Sequence, residues 1–392
     1  MTYIKQRLED TDWQILVFKT VLFIWVVSLP FKNAVYQISF VMLDLFFITH
    51  LLCTQNFGII KDILYKTRFL GLAFAGILLS MVISNLLNPE YLSSKSWSHT
   101  ILFIFRYGII FVALAYFYKL NYFNKKDITY FVLAGLTLLA ITAIFYIITN
   151  PGLISHISGG LSGSLGSRTG FGLFVGLGFV LSFVLIQNKI WMPFLVIFFT
   201  FFTVFSFARS SWVASATAIA IFLILNFKKI EKKHIILLIT LAILIAIFYL
   251  SYSSLQNRVE ALISLNTTYR TLIWQYSLDM ILQNPLFGYG ISSFGNLPNS
   301  PILQSPDWNS THNLILETLL YTGIFGSIFC IYMITMTFIK AFKTKNYGLF
   351  AIFTYIFVIS QFDFGAYMSK ELLSFIVIFT FLAYCDDFKE QN

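Results

Sequence analysis

Charge is scarce in this sequence. Asp, Glu, Lys and Arg together make up 11% of 392 residues, against about 25% in a typical soluble domain. A chain so poor in charge cannot cover itself with a polar surface, which excludes an ordinary water-soluble globule and leaves lipid as its main solvent. Cysteine is scarce too. Cys53, Cys330 and Cys385 do not make a disulfide framework, and the expectation is of small buried thiols. There is no basic tail and no continuous basic face. The net charge of +9 comes from short Lys/Arg clusters between apolar runs, which is a topology pattern and not a nucleic-acid footprint, so no nucleic-acid partner is expected. Residues 1–12 contain Glu9, Asp10 and Asp12, and no small-residue cleavage site follows the first apolar run. A cleaved signal peptide is therefore not expected, and the first helix is read as a signal anchor.

What the sequence does have is apolar length. Hydrophobic residues make up 58% of the chain, and Phe alone supplies 45. A spanning helix needs about 20 mostly apolar residues. The sequence offers twelve such stretches, at 13–30, 34–53, 68–87, 100–118, 128–149, 170–187, 190–207, 211–227, 234–252, 312–339, 347–365 and 371–385. The expected fold class is all-α, a polytopic membrane protein with about twelve transmembrane helices. With the N-terminus inside, seventeen basic residues fall in cytoplasmic segments and seven outside, with Lys19 and Arg106 within helices. That asymmetry satisfies the positive-inside rule and puts both termini in the cytoplasm. The two sides also differ in kind. All but Arg7 and Arg68 of the inside residues are lysine, whereas Arg168, Arg209, Arg258 and Arg270 lie outside. Lysine suffices as a topology marker, while arginine offers a planar fork that grips phosphate or carboxylate.

Polar mass gathers in two outer loops. One is the Gly/Ser-rich stretch 150–169, expected to be irregular. The other, 253–311, opens with SSLQNRVEALIS and continues with YRTLIWQYSLDMILQ, two amphipathic helical patterns suited to the membrane interface. The chain is thus divided into helices 1–9 (1–252), the large loop (253–311) and helices 10–12 (312–392), with no internal repeat. A transporter would also have about twelve helices, but would show internal repeats and broken helices at the midplane.

Chemistry-bearing residues lie around that loop. His312 begins the helix that follows it, one of three histidines on or near the outside with His99 and His156. Histidine is the usual general base near neutral pH, and an interfacial residue satisfied by its neighbours is the alternative. Arg209 stands in the tight turn of SFARSSWVA, where snorkelling or a lipid phosphate would also account for it. Arg270 opens the second amphipathic helix with Trp274 one turn on, a spacing that also suits cation–π packing. Arg168 closes the Gly/Ser loop, Arg258 lies on the first amphipathic helix, and Arg106 lies within a span, where an arginine is a functional candidate by position. Lys19 and Asp44, at similar depths on neighbouring spans, read as a structural ion pair.

Three segments resemble the membrane-embedded O-antigen ligase and polymerase family. They are FARSSWVA; YRTLIWQYSLDMILQNPLFGYGISSF, similar to the family's Arg, aromatic, Pro-Leu-x-Gly-x-Gly run; and HNLILETLLYTGIFG, similar to its His-Asn followed by a Thr-Gly helix. They run from 205 to 326 in the family's order, and SRTGFGLFVGLGF resembles the corresponding ligase segment. Ala208 stands where Ser often precedes the turn arginine, and Tyr321 where Glu often precedes Thr-Gly. The resemblance implies a GT-C-like fold in the bacterial inner membrane with its site facing the periplasm. It implies transfer of a glycan from undecaprenyl diphosphate to a sugar hydroxyl, inverting, with no cofactor and no metal. His312 would be the base; Arg209, Arg270 and Arg168 would hold the diphosphate; Arg106, Arg258 and Asn313 are further candidates. The acceptor is a lipid A–core sugar in a ligase, toward which SRTGFG leans, and a second repeat unit in a polymerase.

Overall fold

The computed structural model describes residues 12–31, 34–149, 160–185, 191–264, 269–301, 310–362 and 370–389. Lys32, His156 and 302–309 of the large loop lie outside these. Among the described residues the secondary structure is helical, without strands: α1 Asp12–Ser28, α2 Ala34–Thr54, α3 Phe57–Lys66, α4 Arg68–Leu87, α5 Ser96–Phe103, a π-helical turn Ile104–Ile109, α6 Ile110–Lys119, α7 Lys125–Thr149, α8 Arg168–Leu185, α9 Met192–Phe205, α10 Arg209–Leu225, α11 Lys232–Ser251, α12 Ser253–Ile263, α13 Arg270–Gln283, α14 Leu314–Lys343, α15 Tyr347–Ile359 and α16 Lys370–Phe388.

Each of the twelve apolar stretches is helical over most of its described residues, and both amphipathic patterns in the large loop fold as α12 and α13. Among the described residues, seven helices are long and apolar enough to cross a membrane, and four more apolar helices, at 168–184, 193–205, 209–225 and 347–359, are shorter. Of the short ones, α10 starts at the turn 206–208 and α15 ends at its C-cap Ser360. α3 is an element the sequence reading left out. Ten residues are too few to span, but Phe57, Ile60, Ile63 and Leu64 repeat at helical spacing on one side of it.

The chain divides into two units. The first comprises Met1–Phe131, Arg270–Thr344 and Phe364–Asn392; the second comprises Val132–Tyr269 and Lys345–Asp363. In the first, α14 packs along α4. Lipid gives helices no hydrophobic reason to associate, so close approach through small residues supplies the packing. A Cβ on Gly76 would lie 2.3 Å from the Phe329 ring, and one on Gly326 would lie 2.5 Å from Ser80 Oγ. α13 lies against α14, and α16 and α3 lie against α6.

α14 is broken. Gly323 has φ 62° and ψ −166°, a conformation open essentially to glycine alone. The Pro285-to-Gly290 loop fills the break. Ile324 N donates to Pro285 O at 2.8 Å and Phe325 N to Leu286 O at 3.2 Å, while Tyr289 N donates to Leu320 O at 2.8 Å and Gly290 N to Tyr321 O at 3.0 Å. Backbone groups freed inside a membrane helix need such partners. Hence the Pro-Leu-x-Gly-x-Gly run and the Thr-Gly are two halves of one contact. A broken helix does occur here, nine residues into α14 and closed by a loop.

In the second unit α8, α9, α10 and α15 pack together. The glycines of GFGLFVGLGF let them close. A Cβ on Gly176 would strike Ser211 Oγ and Tyr355 Oη at 2.2 and 2.4 Å. Ser211 Oγ donates to Gly172 O at 2.7 Å and Tyr355 Oη to Leu173 O at 2.6 Å. The segment that resembles the ligases thus carries helix packing.

Two expectations are corrected. Lys19 pairs with Asp127 at 3.0 Å and not with Asp44; the long lysine stem reaches the first turn of α7, where the carboxylate also suits the helix dipole. Cys53 is exposed, while Cys330 and Cys385 are buried.

Candidate active-site residues

Within the first unit, Arg270 is the first residue of α13 and His312 stands two residues ahead of α14. The two helices are tied at this end: Trp274 Nε1, one turn after Arg270, donates to Thr311 O at 3.0 Å. The geometry around His312 is set locally. Asn313 caps α14, its Oδ1 accepting from Leu316 N at 3.0 Å, and Thr311 Oγ1 donates to Asn313 O at 2.9 Å. These bonds hold His312 at φ 51°, a left-handed conformation in which histidine is one of the residues enriched. Its side chain is half-buried, as is that of Arg270. Asn313 therefore has a structural task of its own, which fixes the imidazole's point of departure.

A second layer steadies this end. Asn88 Nδ2 donates to Ser84 O at 3.0 Å and Gly288 O at 2.9 Å, and its Oδ1 accepts from Asn284 Nδ2 at 3.1 Å. Asn85 Oδ1 accepts from Ile291 N at 2.9 Å, and Ser84 Oγ donates to Tyr321 O at 2.6 Å. Tyr321 is fully buried in this wedge, which gives a packing reason for an aromatic residue at that position. His99 Nδ1 lies 2.9 Å from Ser292 Oγ. Tyr276 donates to Pro298 O at 2.8 Å. Burial pushes its pKa up to about 12, with nearby Tyr289 adding to the shift, so it remains a donor across the physiological range.

Glu317 escaped the sequence reading. It lies in the first turn of α14, five positions after His312, and is fully buried. The available signal was a lone carboxylate inside LILETLLYTG, an apolar run where such a group is costly.

Arg106 occupies the π-helical turn and is buried. Nη2 donates to Gln37 Oε1 at 2.9 Å, and the guanidinium lies 5.1 Å over the Phe40 ring and 5.7 Å over the Tyr36 ring. These contacts turn it toward α2 and give it a local structural role.

Within the second unit, Phe207 turns the chain at φ 55° and Arg209 starts α10. Leu161, at the described end of the Gly/Ser loop, donates from its backbone to Phe205 O at 2.8 Å. Arg209 Nη1 donates to Ala261 O, in the last turn of α12, where the helix dipole favours a cation. Arg258 lies on the preceding turn of α12. Burial, and then the charge of Arg209, lower its pKa from the ordinary arginine value. Two guanidinium groups thus lie close enough to repel each other. Arg168 is the first residue of α8 and half-buried.

The ordered Arg209, Arg270, Pro-Leu-x-Gly-x-Gly and His-Asn features all lie in one stretch of chain. Residues 194–331 match the family model described as O-antigen ligase. The resemblance of the motifs to the O-antigen ligase and polymerase family is thereby supported over about a third of the chain, and that stretch holds Arg209, Arg258, Arg270, His312, Asn313 and the Gly323 break. Arg106 and Arg168 precede it. No curated protein matches the chain significantly. With seven helices among the described residues able to cross a membrane, this is a multi-pass membrane protein, and its match to the O-antigen ligase model supports an enzyme of the ligase or polymerase kind.

Proposed function

We propose that this protein is an O-antigen ligase that transfers a glycan from undecaprenyl diphosphate to a lipid A–core sugar hydroxyl at the periplasmic face of the bacterial inner membrane. One observation carries the reading: Arg168, Arg209 and Arg270 are each the first residue of a helix. The start of a helix favours an anion through its dipole, and a guanidinium placed there adds a fork that can hold one. Helix-start N–H groups together with a guanidinium fork are what a phosphate needs. The second unit adds an apolar cleft of about 820 Å³ among α8 to α12, whose lining includes Leu255 and Val259 on either side of Arg258. Such a cleft suits a polyprenyl tail whose head lies at the arginines.

In the reaction His312 accepts the proton of the acceptor hydroxyl as its oxygen bonds to the anomeric carbon. The bond from that carbon to the diphosphate oxygen breaks on the opposite face, which inverts the configuration. Arg209 and Arg270, with Arg168, stabilise the negative charge that grows on the departing diphosphate. Arginine supplies this stabilisation without calling on a metal.

The test is replacement in cells that lack the chromosomal copy. His312→Ala and Arg270→Ala are expected to insert normally and to abolish glycan transfer; normal surface polysaccharide in either would sink the assignment. The deletion itself separates the acceptors on a gel. Unligated polymer on its lipid carrier is the expected ligase result, and a single repeat on the lipid core would show a polymerase.

A further inference from the structure

A second apolar cleft, of about 480 Å³, lies wholly within the first unit, at its lysine-rich end. Its walls come from α2, α3, α4, the π-helical turn with its flanking helices, α14 and α16. Apart from Thr67, Tyr107 and Thr380, every lining residue is apolar or glycine. Two features make it open space. The π-helical turn Ile104–Ile109 widens the helix that forms one wall, a distortion common at functional sites. Gly71, on the opposite wall, is exposed, and a Cβ built there would meet nothing within 4 Å. Along the wall the cleft runs from Phe103 to Val112, about 13 Å at 1.5 Å per residue. That is close to half the roughly 30 Å hydrocarbon thickness, the depth of one leaflet.

The mouth identifies the occupant. It is edged by Ile60, Leu64 and Thr67 on and just after α3. This short helix exposes Phe57, Leu64 and Tyr65 and buries Ile63, as a helix lying in the interface would. Four cations surround it, Lys61, Lys66, Arg68 and Lys119, against a single carboxylate on α3, Asp62. Asp62 is already shared by Lys66 at 2.9 Å and Lys119 at 2.7 Å. Lys61 and Arg68 remain exposed, the Arg68 guanidinium resting 4.7 Å above the Tyr65 ring. An apolar slot one leaflet deep with an uncompensated basic rim matches an amphiphile with one or two long chains and an anionic head.

We propose that this cleft binds an anionic phospholipid, one acyl chain lying between α4 and the π-helical turn and the phosphate resting on Lys61 and Arg68. The site is independent of the glycan-transfer reading and involves none of its residues.

The full-length protein, equilibrated with vesicles of mixed phosphatidylglycerol and phosphatidylethanolamine, is extracted and its retained lipid measured by mass spectrometry. The wild type is expected to retain about one phospholipid, enriched in phosphatidylglycerol, and to be stabilised against heat by added phosphatidylglycerol. Lys61→Gln with Arg68→Gln is expected to lower that enrichment at least about tenfold. Gly71→Leu fills open space with a better helix former, so it keeps the fold. It is expected to lose the retained lipid and the heat response. Retention by Gly71→Leu equal to that of the wild type would overturn the proposal, as would a wild type with no headgroup preference. A third arm with added polyprenyl phosphate guards the identity: displacement of the phospholipid by that longer tail would also overturn it.

Discussion

The two ends of the first unit solve the problem of charge at a membrane edge in opposite ways. At one end, five described ion pairs all join lysine to aspartate: Lys19–Asp127, Lys66–Asp62, Lys119–Asp62, Lys125–Asp386 and Lys340–Asp387. They gather at the last turns of α6, α14 and α16, the first turn of α7, and α3. At the other end, where α13 and α14 begin, order comes from neutral groups. Asn85, Asn88, Asn284, Ser84 and Trp274 hold backbone atoms, and the charged Arg270 and the titratable His312 stand at helix starts. Charge at the lysine end is mostly compensated, which marks topology and adds modest stability. Charge at the arginine end sits where a helix dipole opposes it, which disposes it toward an anionic ligand. The difference lies in placement more than in the number of charges.

The largest expected effects break this contrast directly. Arg270→Lys keeps the charge and loses the fork, and is expected to cut glycan transfer by about 10²-fold or more, measured with purified protein in liposomes. Lys66→Arg, the mirror change at the other end, should leave transfer within about twofold; equal losses in both would show that the two ends do not differ in kind. Gly323→Ala comes next. Its Cβ would lie 2.3 Å from the Leu286 carbonyl, at a φ that alanine resists. Destabilisation of about 3 kcal/mol or more is expected, read as a lower thermal midpoint in detergent, with transfer falling in parallel. Asn88→Ala should cost less, about 1–3 kcal/mol, because Gly288 O keeps its bond from Asn284 at 2.7 Å while Ser84 O loses the Asn88 donor. An unchanged midpoint would mean that the asparagine layer does not hold the arginine end together.

Sequence reading saw the parts of this arrangement that depend on single residues or on length. Apolar runs are visible because lipid tolerates nothing else for a span, so all twelve helical stretches were legible. His312, Arg209 and Arg270 stood out as candidates because few side chains do the chemistry proposed for them. Features that depend on two distant segments were hidden. Gly323 reads in isolation as an ordinary packing glycine; only the Pro285–Gly290 loop reveals a broken helix. Glu317 needs its burial to be seen before it stands out. Lys19 was assigned to Asp44 from depth alone, since nothing in a sequence tells how far a flexible stem leans. α3 was missed because ten residues fall below the length at which periodicity overrides a loop reading.

The smallest effect tests the lysine end through its pH dependence. Burial alone would raise the Asp62 pKa, but hydrogen bonds from Lys119 and Lys66 outweigh it and hold the carboxyl below its ordinary value. A depressed carboxylate pKa contributes stability that is fully present above the unfolded value, about 3.9, and is lost as pH falls through the folded one. Asp62→Asn should therefore lower stability by about 1 kcal/mol at neutral pH, discounted for a partly exposed pair. The gap between wild type and variant should stay constant from about pH 8 to pH 5 and close below about pH 4. Thermal midpoints measured across that range in one detergent decide the matter. If the gap persists at about pH 3, the Asp62 carboxyl contributes through packing, and the charge-paired character of that end rests on the three ion pairs that do not involve it.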